Sequence, residues 1–335
     1  MPVKVGMNGF GRIGRYLLRL MADNQDIQIA AINARADNAA LAYLFKYDST
    51  YGTFQGTVDH DENGIIVNGR HIAVTRCKAG EWEWDRLGVT LAVETTGTIK
   101  DSEGLAQHLA CGAKKVVISA PGKDVDAMIV MGVNHDIYDG AKHNIISAAS
   151  CTTNCLAPAV KVLHETFGFR HGLMTTIHSY TMSQRILDGT HKDWRRGRAA
   201  AVSMVPSSTG AAKAVGKVIP ALQGKLTGTS MRIPSADVSI VDLTCRLEKA
   251  ATYDEICAAV KAAAEGPMAG VVEYVDDEVV SSDFITDPHT SIFDAKAGLA
   301  LNDHFVKLMA WYDNEWGFSN KMLDLTRHID SVRKA

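Results

Sequence analysis

Cys151 is the residue of this sequence that is best suited to nucleophilic chemistry. It lies in Ser-Cys-Thr-Thr-Asn-Cys at 150–155, after the apolar run 144–149 and before the helix-like stretch 156–165. A thiol at such a strand-to-helix junction lies near unpaired backbone N–H groups and the positive end of a helix dipole, which favour the thiolate. An isolated cysteine is more often a small apolar side chain that fills space. The prediction of a nucleophile therefore depends on the residues that accompany Cys151.

Two other features give Cys151 a chemical context. His178 ends the strand-like run 172–178, and Gly9-x-Gly11-x-x-Gly14 follows the first apolar strand directly and opens a helix. The glycines allow a pyrophosphate to approach the backbone at a helix N-terminus. An imidazole with a pKa near neutrality can take the proton of a thiol, although His178 alone would be interpreted as a core histidine. Together these residues predict thiol chemistry coupled to a dinucleotide.

The second strand bears on the choice of dinucleotide. An acidic residue that binds the ribose 2′-OH usually follows the glycine motif by about 20 residues, but this sequence has Asn33-Ala34-Arg35 there. A guanidinium without a neighbouring carboxylate suits a 2′-phosphate. NADP is therefore a candidate beside NAD, with a solvated loop charge as the alternative explanation of Arg35.

Length and composition limit the function classes. A chain of 335 residues has room for about two domains, and 46% hydrophobic with 22% charged residues is ordinary for a globular protein. A formal net charge of −3 gives no general attraction to nucleic acid or an anionic membrane. No membrane span, signal peptide or zinc-type cysteine spacing is recognisable. We expect a cytoplasmic protein with free thiols, no metal, no nucleic-acid partner and no membrane partner.

The order of elements predicts an α/β protein with two domains. Strands and helices alternate in the first half, which is typical of a Rossmann-type doubly wound parallel sheet, and 61–75 is predicted to be a hairpin at its edge. After residue 150, alternating strands such as 241–247 and 305–312 predict an α+β domain with a largely antiparallel sheet. We expect a dinucleotide-binding domain over 1–150, completed by a C-terminal helix at 315–335, and a catalytic domain over 151–314. The basic segment 182–206 is predicted to be a long functional loop.

Four segments carry a resemblance to a known family: Asn-Gly-Phe-Gly-Arg-Ile-Gly-Arg at 8–15, Ser-Cys-Thr-Thr-Asn-Cys-Leu-Ala-Pro at 150–158, Ser-Thr-Gly-Ala-Ala-Lys-Ala-Val-Gly-Lys at 208–217 and Trp-Tyr-Asp-Asn-Glu at 311–315. They resemble the phosphorylating (type I) glyceraldehyde-3-phosphate dehydrogenases, and the similarity extends over nearly the whole chain. The resemblance implies reversible oxidative phosphorylation of glyceraldehyde 3-phosphate with NAD or NADP. Cys151 would attack the aldehyde, His178 would take the thiol proton, and inorganic phosphate would release the acyl group from the resulting thioester.

The resemblance also implies the residues that bind the ligands, and a homotetramer. For the substrate and inorganic phosphate they are Ser150, Thr152, Thr181, Arg196, Thr209, Gly210 and Arg232. For the coenzyme they are Arg12, Ile13, Asn33, Lys78, Thr98, Ser119 and Asn314, with Lys78 standing where the family commonly has Arg. These join Gly9, Gly11, Gly14 and Arg35, which the glycine motif and the second strand already indicate.

Departures from the family pattern keep several alternatives open. NAD-using relatives carry Asp where this chain has Ala34, and Gly189-Thr190 resembles the corresponding pair of the NADP-using photosynthetic branch. One alternative function is erythrose-4-phosphate dehydrogenase, whose relatives tend to lose the Thr-Gly pair that stands here at Thr209 and Gly210. The other is a binding protein that kept the fold and lost the chemistry.

Overall fold

The apolar runs of the first half form the parallel core of a nine-stranded sheet. The computed structural model describes residues 2–334, so position 335 of the expected C-terminal helix lies outside the described residues. The strands of this sheet are β1 Val3–Asn8, β2 Ile27–Asn33, β3 Val58–His60, β4 Gly64–Val67, β5 Arg70–Thr75, β6 Leu91–Glu94, β7 Lys115–Ile118, β8 Ala127–Met128 and β9 Ile145–Ser147. Their spatial order is β3-β4-β5-β2-β1-β6-β7-β9-β8.

The strands from β5 to β8 in that order pair in parallel, whereas β3, β4 and β5 pair antiparallel. The predicted hairpin is confirmed as β4 and β5, joined at Asn68-Gly69 with both residues at positive φ, and β3 is the edge strand. The helices are α1 Arg12–Met21, α2 Asn38–Lys46 and α3 Ser102–Ala110. Asp37 and Asp101 cap α2 and α3 by accepting backbone N–H groups, whereas α1 has no side-chain cap.

The second half of the chain forms a seven-stranded mixed sheet with helices. Four of its six strand pairs are antiparallel, and the exceptions are β10 with β12 and β14 with β15. The order is β11-β12-β10-β13-β16-β15-β14. The elements are α4 Cys151–Phe167, β10 Phe169–Ser179, β11 Val205–Ser208, α5 Ala211–Val218, β12 Leu226–Ile233, β13 Ser239–Leu247, α6 Tyr253–Glu265, β14 Val272–Val275, β15 Ser291–Asn302, β16 Phe305–Tyr312 and α7 Trp316–Lys334.

The two sheets belong to two compact units. The first unit contains the chain up to Ile129, His135–Ala149 and the residues from Met322 onward, and the second contains Val130–Asn134 and Ser150–Lys321. Helix α7 therefore begins in the second unit and ends in the first. Between β10 and β11, a stretch that is described throughout, the chain forms turns and bends without a regular helix or strand. No helix among the described residues is long and apolar enough to span a membrane.

Candidate active site

Cys151 is the first residue of helix α4, at the end of a sharp turn. Ala149 has φ +58°, a left-handed conformation that a residue with a Cβ adopts only at a cost of about 1–2 kcal/mol. Ser150 is the N-cap, and its hydroxyl accepts the backbone N–H of Thr153 at 3.1 Å. This capping fixes the start of the helix, so the thiol of Cys151 is held at the helix N-terminus.

The structure brings Cys151, His178 and Arg232 together in the second unit. Cys151 Sγ lies 3.5 Å from His178 Nε2. His178 and Arg232 face each other in the parallel register of β10 and β12, and an Arg232 guanidinium N–H lies 2.6 Å from His178 Nδ1. The same guanidinium group donates to the carbonyl of Ser179 at 3.0 Å, and this carbonyl lies 2.8 Å from His178 Nδ1. The imidazole is thus held on one side while Nε2 faces the sulfur.

Burial decides the resting charge of this pair. His178 is only 3% exposed, and burial, with the positive charge of Arg232, lowers the pKa of its imidazole to about 3. Burial also raises the pKa of the Cys151 thiol, an effect that Arg232 only partly opposes. Our expectations of a thiolate favoured by the helix and of a histidine pKa near neutrality are therefore wrong for the ligand-free protein. The resting pair is a thiol beside a neutral imidazole. With its proton on Nδ1 and donated to the Ser179 carbonyl, the imidazole keeps the lone pair of Nε2 toward the sulfur and can accept the thiol proton as the sulfur attacks.

Tyr312 connects the two elements that carry Cys151 and His178. Its hydroxyl makes hydrogen bonds of 2.8 Å with both Thr152 of α4 and Thr176 of β10, and its ring packs edge-on against the His178 imidazole. Burial raises the pKa of Tyr312 well above its usual value, so the hydroxyl stays protonated. Because the hydroxyl of Thr152 is engaged inside the core, its side chain fixes α4 in place.

Asn314 is held in one orientation by two buried serines. Its Oδ1 accepts hydrogen bonds from the hydroxyls of Ser179 and Ser239, at 2.7 and 2.8 Å. Val238, which precedes Ser239, has φ +60°, an unusual conformation for a β-branched residue. With Oδ1 occupied, the Asn314 amide offers its N–H groups to a ligand that brings an acceptor.

Hydrogen-bond donors suited to anions gather at two helix ends. The hydroxyl of Thr153 donates to the Ala211 carbonyl at 3.3 Å, which places the start of α4 beside the start of α5, where Gly210 is the N-cap. Thr209 caps this turn by accepting the Ala211 N–H at 3.2 Å. Arg196 donates to the carbonyl of Ser208 at 3.4 Å. Two helix N-termini and a guanidinium, which also pairs with Asp193 at 3.5 Å, are groups that could bind an anion.

Thr181 and Arg196, two of the residues expected to bind anions, both hydrogen-bond to Ser183. Thr181 exchanges a hydrogen bond of 2.9 Å with Ser183, and Arg196 reaches the Ser183 hydroxyl at 3.5 Å. Thr181, Ser183 and Arg196 are therefore linked in one cluster. Arg232 lies on the sheet beside His178, and burial, together with the nearby positive charge of Arg196, lowers the pKa of the Arg232 guanidinium.

The glycine loop of the first unit fits a dinucleotide. A Cβ at Gly14 would lie 2.7 Å from the carbonyl oxygen of Gly9, so only glycine allows helix α1 to pack this closely. A Cβ at Gly11 would meet nothing within 4 Å, which leaves open space at the uncapped N-terminus of α1. Open space, an uncapped helix end and no side chain are what a pyrophosphate requires.

The remaining coenzyme candidates differ in how far the fold engages them. Asn33 uses both ends of its amide within the protein, on Asn8, Thr75 and Cys77. Arg12 forms an ion pair with Asp48 at 2.7 Å. Thr98 shares a hydrogen bond of 2.7 Å with Thr96, and the N–H of Ser119 donates to the carbonyl of Glu94. Arg35, Lys78 and Thr98 are exposed, and Arg12, Ile13, Asn33 and Ser119 are partly exposed.

Two domains of one protein family, and several proteins similar over nearly their whole length, match this chain. Residues 3–102 match the glyceraldehyde 3-phosphate dehydrogenase NAD binding domain, and residues 150–314 match the C-terminal domain of the same family. The glyceraldehyde-3-phosphate dehydrogenase of Salmonella typhimurium is 56% identical over 331 residues, which cover 98% of this chain and 99% of the relative. The chain belongs to the glyceraldehyde-3-phosphate dehydrogenase family. Glyceraldehyde-3-phosphate dehydrogenase A of Escherichia coli is also 56% identical over 331 residues, and that of Ogataea parapolymorpha is 53% identical over 337 residues.

Family membership confirms the resemblance and the α/β fold class predicted from sequence. It also establishes a binding domain for an NAD-type coenzyme. Sequence reasoning missed the buried hydroxyls of Tyr312, Thr176, Ser179 and Ser239. Tyr312 lies in the segment 311–315 that carries the family resemblance, without a role assigned to it, and no motif marks Thr176, Ser179 or Ser239, since each is an ordinary strand residue until β10, β13 and β16 are placed side by side.

Proposed function

We propose that this chain catalyses the reversible oxidative phosphorylation of D-glyceraldehyde 3-phosphate to 1,3-bisphosphoglycerate. The observation that carries the proposal is the 3.5 Å separation of Cys151 Sγ and His178 Nε2 in a member of this family. A neutral imidazole at that distance can remove the thiol proton while the sulfur adds to an aldehyde carbon.

Each step has a residue suited to it. Attack by Cys151 Sγ on the aldehyde carbon moves the thiol proton to His178 Nε2 and leaves the oxygen of the thiohemiacetal as an alkoxide, which becomes the thioester carbonyl when the hydride leaves. A bound nicotinamide supplies the acceptor for the hydride that this adduct loses. The acyl group then remains on the sulfur as a thioester. Inorganic phosphate attacks its carbonyl carbon, the C–S bond breaks, and the leaving Cys151 sulfur recovers its proton from His178. Because the thioester is an activated acyl group, the energy of oxidation is kept in the acyl phosphate.

The anion sites divide between the two phosphates. Arg232 and Thr181 would hold the phosphate of the substrate, and Ser150, Thr209, Gly210 and Arg196 would hold inorganic phosphate. The Thr152 hydroxyl pairs with Tyr312 and its backbone N–H lies beside the Cys151 sulfur, so Thr152 would act next to the acyl group that this sulfur carries. Placing a dianion on Arg232 would oppose the positive charge that lowers the pKa of His178, so substrate binding would make this histidine a stronger base.

NADP use, alone or beside NAD, is the second part of the proposal. Ala34 removes the carboxylate that would repel a 2′-phosphate. Arg35 makes no hydrogen bond or ion pair among the described residues, and Arg76 donates to the carbonyl of Ala36 at 2.7 Å. Two guanidinium groups therefore border the turn after β2.

A homotetramer is the proposed assembly, and the cytoplasm the proposed location. The segment between β10 and β11 exposes large apolar side chains, among them Met182 at 84%, Leu187 at 78% and Trp194 at 87%. Apolar side chains exposed together favour a protein partner. A second copy of this chain is the partner that the family resemblance implies.

A steady-state assay tests the function. It crosses NAD with NADP, and inorganic phosphate present with phosphate absent, using glyceraldehyde 3-phosphate or erythrose 4-phosphate. We expect phosphate-dependent turnover of glyceraldehyde 3-phosphate with at least one coenzyme and its loss in Cys151→Ser, because a serine hydroxyl is far less ionised near neutral pH. Turnover that ignores phosphate would support an erythrose-4-phosphate dehydrogenase. No turnover, with Cys151 inert to alkylation, would support a silent binding protein. A strong preference for NAD would contradict NADP use.

A further inference from the structure

The first unit contains a buried carboxylate at the end of strand β6. Glu94 is 1% exposed, and its two oxygens accept four hydrogen bonds. The donors are the Asn8 side-chain amide at 2.6 Å, His108 Nε2 at 3.2 Å, the Thr96 backbone N–H at 2.7 Å and the Thr96 hydroxyl. A carboxylate removed from water costs several kcal/mol unless its oxygens are fully satisfied. The four donors meet this requirement.

The roles of the His108 nitrogens follow from Trp84. The indole Nε1–H of Trp84 lies 3.0 Å from His108 Nδ1 and can only donate, so Nδ1 must accept. The proton of the imidazole is then on Nε2, which donates to Glu94. The ring of Trp82 stacks on His108 with centroids 3.8 Å apart. Because a proton on Nδ1 would oppose the Trp84 N–H, His108 acts as a neutral donor and does not pair with Glu94 as a cation.

Two of the residues that donate to Glu94, Asn8 and Thr96, lie at the carboxyl ends of the neighbouring parallel strands β1 and β6. Asn8 is the last residue of β1 and immediately precedes Gly9. Its Oδ1 accepts from Asn33, the last residue of β2, at 2.9 Å. Thr96 lies just after β6, and its hydroxyl oxygen accepts the N–H of Thr98 at 3.2 Å. One carboxylate thus connects the ends of β2, β1 and β6, where open α/β sheets bind their ligands.

We propose that Glu94 is a positioning residue for the dinucleotide. Through Asn8 it fixes the entry to the glycine loop, and through Thr96 it fixes the turn 95–98. His108 and Trp84 support the carboxylate from inside the unit. The inference rests on the coenzyme binding of the proposed function, and it assigns Glu94 a role that acts through the loops rather than through contact with the coenzyme.

The first test is Glu94→Gln in the full-length chain. The glutamine side chain would keep the shape but turn an N–H group toward the donors of either Asn8 and His108 or Thr96. We expect the Kd for NAD or NADP, measured by titration calorimetry on the apoprotein, to rise at least about tenfold, the effect of one lost charge-assisted hydrogen bond. Glu103→Gln is the matched control, because Glu103 is an exposed glutamate of α3 in the same unit. A Glu94→Gln variant that binds coenzyme like the control would overturn the inference.

The second test distinguishes positioning from general instability and does not depend on the folding of Glu94→Gln. His108→Gln can still donate to Glu94 and accept from Trp84, whereas His108→Leu can do neither. We expect the Kd and KM for the coenzyme to rise in the His108→Leu variant and to return to the original values in the His108→Gln variant. In both variants, kcat and the KM for glyceraldehyde 3-phosphate should stay unchanged. Equal coenzyme Kd values for the His108→Leu and His108→Gln variants would refute the positioning role. A lower kcat with an unchanged coenzyme Kd would also refute it, because that result indicates only a smaller fraction of folded enzyme. If the unaltered protein binds neither coenzyme, the proposed function fails instead.

Discussion

Replacing His178 with asparagine tests whether the imidazole is what makes Cys151 reactive. The asparagine removes the base that lies 3.5 Å from the sulfur. As the proton moves from sulfur to nitrogen, opposite charges form at this distance, and their attraction is about 5 kcal/mol at an effective dielectric constant of about 20. Since about 1.4 kcal/mol corresponds to a factor of ten, the variant should react about three orders of magnitude more slowly. This lies within the range of roughly 10²–10⁴ known for general-base catalysis.

The assay is the second-order rate of alkylation of Cys151 by iodoacetamide at neutral pH, followed by mass spectrometry of the peptide that contains it. The buried thiol of Cys155, whose pKa burial raises strongly, provides an unreactive internal reference. His171→Asn is the matched control, because His171 is an exposed histidine of the same strand. Alkylation of the His178→Asn variant within about threefold of the control rate would refute the role of this base, since general-base effects are far larger.

Three other perturbations have defined outcomes. The pKa of His178 is about 3 in the folded protein, whereas its ordinary value is 6.5. As the pH falls, the unfolded chain therefore takes up this proton before the folded protein does. The free energy of unfolding should fall between about pH 6.5 and about pH 3, by up to about 1.4 kcal/mol per pH unit. Urea unfolding at several pH values measures this dependence, and the His178→Gln variant should show a smaller slope of unfolding free energy against pH. An unchanged slope in this variant would contradict the assignment of the pH dependence to His178. Tyr312→Phe leaves the hydroxyls of Thr152 and Thr176 short of a partner and should cost about 1–3 kcal/mol in urea unfolding. Tyr47→Phe, at a position 45% exposed, is its control, and equal losses would argue against the hydroxyl bridge. The Gly11→Ala variant should keep its Tm but lose coenzyme affinity in calorimetry. The Gly14→Ala variant should lose both Tm and affinity, since of the two added Cβ atoms only the one at position 14 meets the backbone. A Gly11→Ala variant that binds coenzyme normally would contradict the pyrophosphate site.

The sequence predicted the local features that depend on short stretches of chain. The alternation of strands and helices, the hairpin at Asn68-Gly69 and the glycine loop after β1 are all present in the structure. These features follow from side-chain periodicity and turn chemistry, which neighbouring residues determine. The family could be identified for the same reason, since its motifs are contiguous, and Cys151 lies in one of them.

Other properties depend on residues that are distant in sequence. His178 and Arg232 are 54 positions apart, and only the parallel pairing of β10 with β12 sets them side by side. Burial among these strands, which no local pattern encodes, raises the pKa of the Cys151 thiol and lowers the pKa of the His178 imidazole. Asn8, Glu94 and His108 likewise meet only when β1, β6 and α3 are assembled. Sequence alone therefore determined which groups could react, and the tertiary structure determined their protonation states and hydrogen-bond partners, because both depend on solvent exclusion and on contacts between distant strands.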